Sequence, residues 1–181
     1  MSIDTRTDWG AARSKGSTYL APTRGAKAHY TGGGVSTNTL TDHERCRAAM
    51  RGYQQGHFNN GWNDLGYSMW VCNHGYGFGR GPHVLPAANG PGLNSGHYAI
   101  LFLVGTSGVT EPTDAMLYNF HQARHYLIDN GNAGTEIKCH KDGYATSCPG
   151  GPITQWVRSG ANLPGTNPSP IPTQPGDDEM K

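Results

Sequence analysis

The segment His140-Lys-Asp-Gly-Tyr-Ala-Thr-Ser-Cys148-Pro149-Gly150 decides the reading of this chain. It carries an imidazole and a thiol on one short loop, with seven residues between them, and Pro149 and Gly150 stop it. Zinc accepts both ligand types, and a catalytic zinc needs only three protein ligands, the fourth position staying open for water. A third ligand has to come from elsewhere. His29, in Ala26-Lys-Ala-His29-Tyr-Thr-Gly32, a strand-like stretch ending in glycine, is the best candidate. Taken alone, His29 and His140 read most simply as buried structural histidines; the Cys-Pro-Gly context turns both into expected ligands. Convergence of His29, His140 and Cys148 predicts a zinc hydrolase.

Working outward, the 181 residues fit one domain with bulk enough for a core. With 27 Gly and 12 Pro against 35% hydrophobic residues, the chain is rich in loops. The stretch from Asn162 to Pro175 has no core-forming pattern and reads as an extended linker. A catalytic domain over 1–160 and a Pro-rich tail over 161–181 are expected. Net charge is +1 with scattered signs, so neither nucleic acid nor another polyanion is an expected partner. The longest apolar run, Tyr98 to Val104, is too short to span a bilayer, and no membrane partner is expected. The first residues, Met1 to Asp8, lack an apolar segment and do not read as a signal peptide. With Cys148 on metal, at most one disulfide remains for Cys46, Cys72 and Cys139. A Cys46–Cys72 bridge and two small buried thiols are equally open readings.

Periodicity predicts two long helices. From Thr39 to Phe58, Cys46, Met50, Tyr53 and His57 recur on one face, with Thr39 or Thr41 as cap. From Thr113 to Asn130, Met116, Phe120, Ala123 and Leu127 form the stripe, with Gly131 as the left-handed stop. Strands are predicted over 67–72, 76–78, 98–104 and 136–140, and a short closing helix over 153–157. The continuous apolar run 98–104 suits a central strand covered on both faces. The mixed order predicts an α/β domain, a central mixed β-sheet flanked by helices.

Further motifs follow in order: Asp8-Trp9-Gly10-Ala11, His29-Tyr-Thr, Gln54 before His57, Gly61-Trp62-Asn63-Asp64-Leu65-Gly66-Tyr67, Gly79-Arg80-Gly81, Asn94, and His140 to Gly150. Together, over about residues 5 to 158, they resemble the zinc-dependent N-acetylmuramoyl-L-alanine amidase family, which includes peptidoglycan recognition proteins and phage lysozyme-type endolysin amidases. The resemblance implies a peptidoglycan recognition protein-like amidase fold and Zn2+ on His29, His140 and Cys148. It implies Tyr67 as the active-site tyrosine and Thr146 as a second hydrogen-bond donor, with substrate contacts from Trp62, Arg80, Asn89 and Asn94. The implied reaction is hydrolysis, by a zinc-activated water, of the amide joining N-acetylmuramic acid to L-alanine in peptidoglycan.

Asn89 stands where many family members carry a histidine facing the groove; asparagine occurs there among endolysin amidases of phages with actinobacterial hosts. The positions of Cys46 and Cys72 are similar to that subgroup. With no signal peptide read at the start and a Pro-rich tail after the domain, the expectation is a phage endolysin, made in the host cytoplasm and reaching the wall by holin-type release, and a monomer. Some relatives place a glutamate base on the strand matching 98–104, which here is uncharged, so the general base stays open. Two alternatives remain: a binding-only recognition module, in which the cysteine ligand is usually replaced, and a host or effector wall amidase.

Overall fold

The structure, a computed structural model, describes residues 2–165. Among these residues eight strands and three α-helices follow one another: β1 (Ser2–Asp4), β2 (Thr23–His29), β3 (Gly34–Val35), α1 (His43–Asn59), β4 (Met69–Cys72), β5 (Gly75–Phe78), β6 (His97–Phe102), β7 (Ser107–Gly108), α2 (Asp114–Gly131), β8 (Ala133–Cys139) and α3 (Gly151–Arg158). Six strands form one sheet in the order β1-β5-β4-β6-β2-β8, and β3 and β7 pair separately. Only β4 and β5 run antiparallel; every other neighbour in the main sheet is parallel. This is the mixed sheet flanked by helices that the sequence predicts. No helix among the described residues is long and apolar enough to cross a membrane.

β6 lies near the middle of the sheet and is buried along its whole length, as its uninterrupted apolar run requires. Alternation divides the sheet's side chains between two faces. Phe102 goes to the face covered by α2 and α3, where it stacks on Phe120 at 5.2 Å and meets Trp156 edge-on at 5.9 Å. Trp70, whose register partner is Leu101, lies on the opposite face, where His43 of α1 meets its ring edge-on at 6.4 Å. His29 is also paired with Leu101, so it shares the α1 face. The site is therefore built on the sheet face that α1 only partly covers.

Helix boundaries differ from the sequence reading in physically clear ways. Residues Thr37–Leu40 form a 3-10 turn, and Asp42, not Thr39 or Thr41, caps α1 by accepting from the Glu44 backbone. Thr113 caps α2 by accepting from Met116 N. Gly131 is the last helical residue of α2, and the left-handed stop is Asn132 at φ 52°. Asparagine tolerates that conformation, and a Cβ on Gly131 would approach the Tyr98 hydroxyl to 2.8 Å. β1, β3 and β7, each two or three residues long, carry no readable period and were not expected. β1 is pinned through Asp4, 1% exposed, which receives two hydrogen bonds from Arg47 of α1 at 2.7 and 2.9 Å.

All four cysteines are free thiols, so the small-buried-thiol reading describes Cys46 and Cys72. Cys46 Sγ donates to Thr39 O at 3.3 Å. Packing contacts continue just beyond Gly160. Ala161 is buried, its carbonyl bonded to the His121 ring at 2.7 Å, and Trp156 Nε1 donates to Asn162 O. Residues 166–181, most of the expected tail, lie outside the described residues.

Candidate metal centre

Strand register brings the two histidines together. Ala28 of β2 pairs with Cys139 of β8, so His29 and His140 end adjacent parallel strands side by side. His140 N donates to Ala28 O at 3.2 Å, and the two imidazole centroids lie 4.4 Å apart. The loop after His140 then folds back: Lys141 N donates to Cys148 O at 3.0 Å, and Tyr30 N donates to Cys148 Sγ at 3.4 Å. The outcome is a cluster in which His29, His140 and Cys148 each offer one ligand atom, all within 4.8 Å of one another.

The chemistry of this donor set fits a zinc-type cation. His29 is 1% exposed and its Nε2 donates to Asn89 Oδ1 at 2.8 Å, which leaves Nδ1 as a bare acceptor 3.7 Å from Cys148 Sγ. His140 Nε2 is buried with no hydrogen-bond partner among the described residues, a costly state unless something else occupies it. Burial, then the neighbouring His140, pushes the His29 pKa down to about 3. Burial, then Lys27, also lowers that of His140. Both rings are thus neutral near pH 7, as ligation requires. Burial raises the Cys148 thiol to about 11, partly countered by the Tyr30 amide. A cation accepted here must displace that proton.

Asn89 has a different place from the groove-facing one expected of it. Its side chain is fully buried behind His29, with Oδ1 on the imidazole and Nδ2 donating to His97 O at 2.7 Å. It thereby fixes which nitrogen of His29 faces the cluster, an orienting role common around metal sites. Asn94 supports it from behind, accepting from Asn89 N at 2.9 Å.

Tyr67 stands at the edge of the cluster, its ring 5.4 Å from that of His29. Burial, then Cys148, raises its pKa, so the phenol is a proton-bearing donor. Thr146 Oγ1 accepts from Cys148 N at 3.2 Å, and its own proton stays available to donate. Trp62 stacks on His57 at 4.5 Å, and His57 lies 5.8 Å from Tyr67. A Cβ at Gly66 would enter the Trp62 ring at 2.4 Å, so glycine is required for this stack. Arg80 is turned to the backbone, donating to Leu65 O and to Leu85 O at 2.9 Å, which ties together the loops flanking Tyr67.

Sequence reasoning gave no role to Tyr144 or Lys27, and it placed His57 only on the packed face of its helix. The Tyr144 ring stacks on His140 at 5.2 Å and 10°, and Gly90 (φ 100°) gives it room, since a Cβ there would lie 2.6 Å from that ring. His57 accepts from Gly66 N at 2.9 Å and holds the Tyr67 approach. Lys27 is buried two residues before His29. Only Lys27 left a signal: on an alternating strand it must share the face of His29.

No protein-family model matches the chain. Human N-acetylmuramoyl-L-alanine amidase is 32% identical over 168 residues, 87% of this chain and 28% of that protein. The pig protein of the same name is 30% identical over 165 residues, covering 87% and 27%. The chain thus spans under a third of the length of these relatives. Among solved structures, wild-type Drosophila PGRP-LB superposes with TM-score 0.77 at 26% identity, covering 87% of this chain and 93% of that one. Bumblebee PGRP-SA shares the fold at TM-score 0.75, 24% identity and the same coverages. A mutant of Drosophila PGRP-LB, at TM-score 0.76 and 25% identity, was solved with tracheal cytotoxin. With that sheet, that pairing of strand ends and these relatives, the chain belongs to the family of N-acetylmuramoyl-L-alanine amidases and peptidoglycan recognition proteins.

Proposed function

We propose that this chain hydrolyses the amide between N-acetylmuramic acid and L-alanine in peptidoglycan, with Zn2+ held by His29, His140 and Cys148. The observation that carries the reading is the convergence of these three donors, whose ligand atoms all lie within 4.8 Å of one another. Zinc bound there would supply Lewis acidity, polarising the scissile carbonyl and bringing the pKa of a water to about 7.

The chain's own residues do the rest. Asn89 locks the His29 tautomer through Nε2. The Tyr67 phenol donates a hydrogen bond to the carbonyl oxygen as charge develops on it, and Thr146 Oγ1–H is a second donor beside Cys148. Burial of His29 and Cys148 keeps bulk water from screening these interactions. The Trp62–His57 stack holds the Tyr67 side of the site. In this reading peptidoglycan is the partner and Trp62 a contact for it, while Arg80 and Asn94 act by shaping the loops. The family's endolysin branch is the proposed setting, a lytic enzyme acting on a host wall; its support is the sequence resemblance at Asn89, Cys46 and Cys72.

Purified cell walls test the reaction. Incubation with the zinc-loaded protein is expected to release new L-alanine amino termini without new reducing sugars, and chelation to stop it. Reducing ends would instead mean a glycosidase. Wall binding with neither product would mean recognition alone.

A further inference from the structure

The sheet face that carries the metal cluster holds a second polar group one step further down the strands. Lys27 precedes His29 by two residues on β2, and Lys138 and Glu136 precede His140 by two and four on β8, so alternation puts all of them on the face of the metal ligands. With Arg24, His97 and Ser95 they line a cavity of about 460 Å³. Its most buried cation is Lys27, 3% exposed.

Lys27 has no direct ion pair among the described residues; the carboxylates of Asp142 and Glu136 act on it only from beyond contact distance. Its Nζ donates to the backbone carbonyl of Asp142 at 3.2 Å, and among the described residues no carboxylate pairs with it. Both nearby carboxylates are committed elsewhere. Asp142 accepts from Arg158 and, at 2.8 Å, from Cys139 N. Glu136 accepts from His97 Nε2 at 2.6 Å and lies 3.4 Å from Lys138 Nζ and 3.6 Å from Arg24 Nε. An ammonium out of water is costly unless an anion meets it. A cavity walled by such a group, with Arg24 and Lys138 at its rim outnumbering the engaged carboxylates of Glu136 and Asp142, has room for one more anion.

Position then narrows the anion. Two residues of extended strand separate Lys27 from His29, about 7 Å. An extended peptide covers a similar distance in two residues. We infer that the cavity receives a carboxylate of the peptide stem, about two residues from the cleaved amide, with Lys27 as its counter-charge, so that the protein selects stems whose second residue keeps a free α-carboxylate over amidated ones. This rests on the amidase reading for the identity of the peptide.

The test is calorimetric binding of the tripeptide L-Ala-γ-D-Glu-L-Lys-amide, with the glutamyl α-carboxyl either free or amidated, to the zinc-loaded chain. The free acid is expected to bind at least tenfold tighter than the amide. Lys27→Met should remove that preference by weakening only the acid, at unchanged zinc content, and Lys27→Arg should retain it. Equal affinity of wild type for the two peptides, binding of neither, or a preference surviving in Lys27→Met overturns the inference. Because the tripeptide contains no muramoyl amide, binding is read independently of turnover. If walls yield no alanine termini while the acid preference holds, the amidase reading fails and the carboxylate subsite stands.

Discussion

Tyr67 brings a phenol to the edge of the metal cluster, and no hydrogen bond to a protein group engages its hydroxyl among the described residues. Tyr67→Phe should therefore leave stability within about 0.5 kcal/mol and lower turnover roughly a hundredfold or more, as loss of one oxyanion donor does. Steady-state kinetics on cell walls with a parallel urea titration separates the two, and full turnover in the variant would remove the hydroxyl from the mechanism. Asn89 behaves oppositely, since it is fully buried and holds the His29 Nε2. Asn89→Ala should cost about 1–3 kcal/mol by stranding that donor, and about 10–100-fold in zinc affinity. Chelator competition would show the second effect. Cys148 sets the pH dependence of binding. The His29 ring is already neutral well below pH 7 and that of His140 is shifted the same way, whereas the thiol keeps its proton up to about pH 11. One proton leaves for each metal bound, so zinc affinity should rise about tenfold from pH 7 to pH 8. An affinity independent of pH over that unit would mean the sulfur is not a ligand.

At the scale of elements, the site depends on the ends of β2 and β8 staying in register and on the edge of the sheet staying closed. The Arg47–Asp4 pair joins α1 to the edge strand β1 with the carboxylate 1% exposed. Arg47→Met leaves that carboxylate without its main partner and should cost about 3 kcal/mol, visible as a lower urea midpoint at unchanged slope. The three short strands that escaped prediction show why local pattern runs out: pairing with distant segments defines them, as Ser2 with Gly75 and Gly34 with Ser107. β6, α1 and α2 were legible because burial imposes a period or a solid apolar run on six or more residues. The helix caps were less legible, because Asp42 and Asn132 win their positions by backbone geometry that flanking threonine and glycine could also have served. The convergence of His29, His140 and Cys148 was legible because a histidine and a cysteine beside Pro-Gly have few other joint uses. The place of Asn89 was not, since its role depends on a ring 60 residues away in sequence.

In the whole molecule, the metal cluster joins three stretches of chain: the end of β2, the end of β8 and the loop that returns at Cys148. A cation bound there stabilises the folded state by mass action, so the melting temperature should climb with free zinc in the wild type and stay flat in Cys148→Ser. The same cluster is the proposed catalytic centre, and one titration tests metal binding and catalysis together. Zinc is added back to chelated protein in the presence of purified cell walls while metal content and new L-alanine amino termini are counted together. The two are expected to rise in parallel and to level off at one zinc per chain. Alanine release from the chelated protein before any zinc is added would contradict the account.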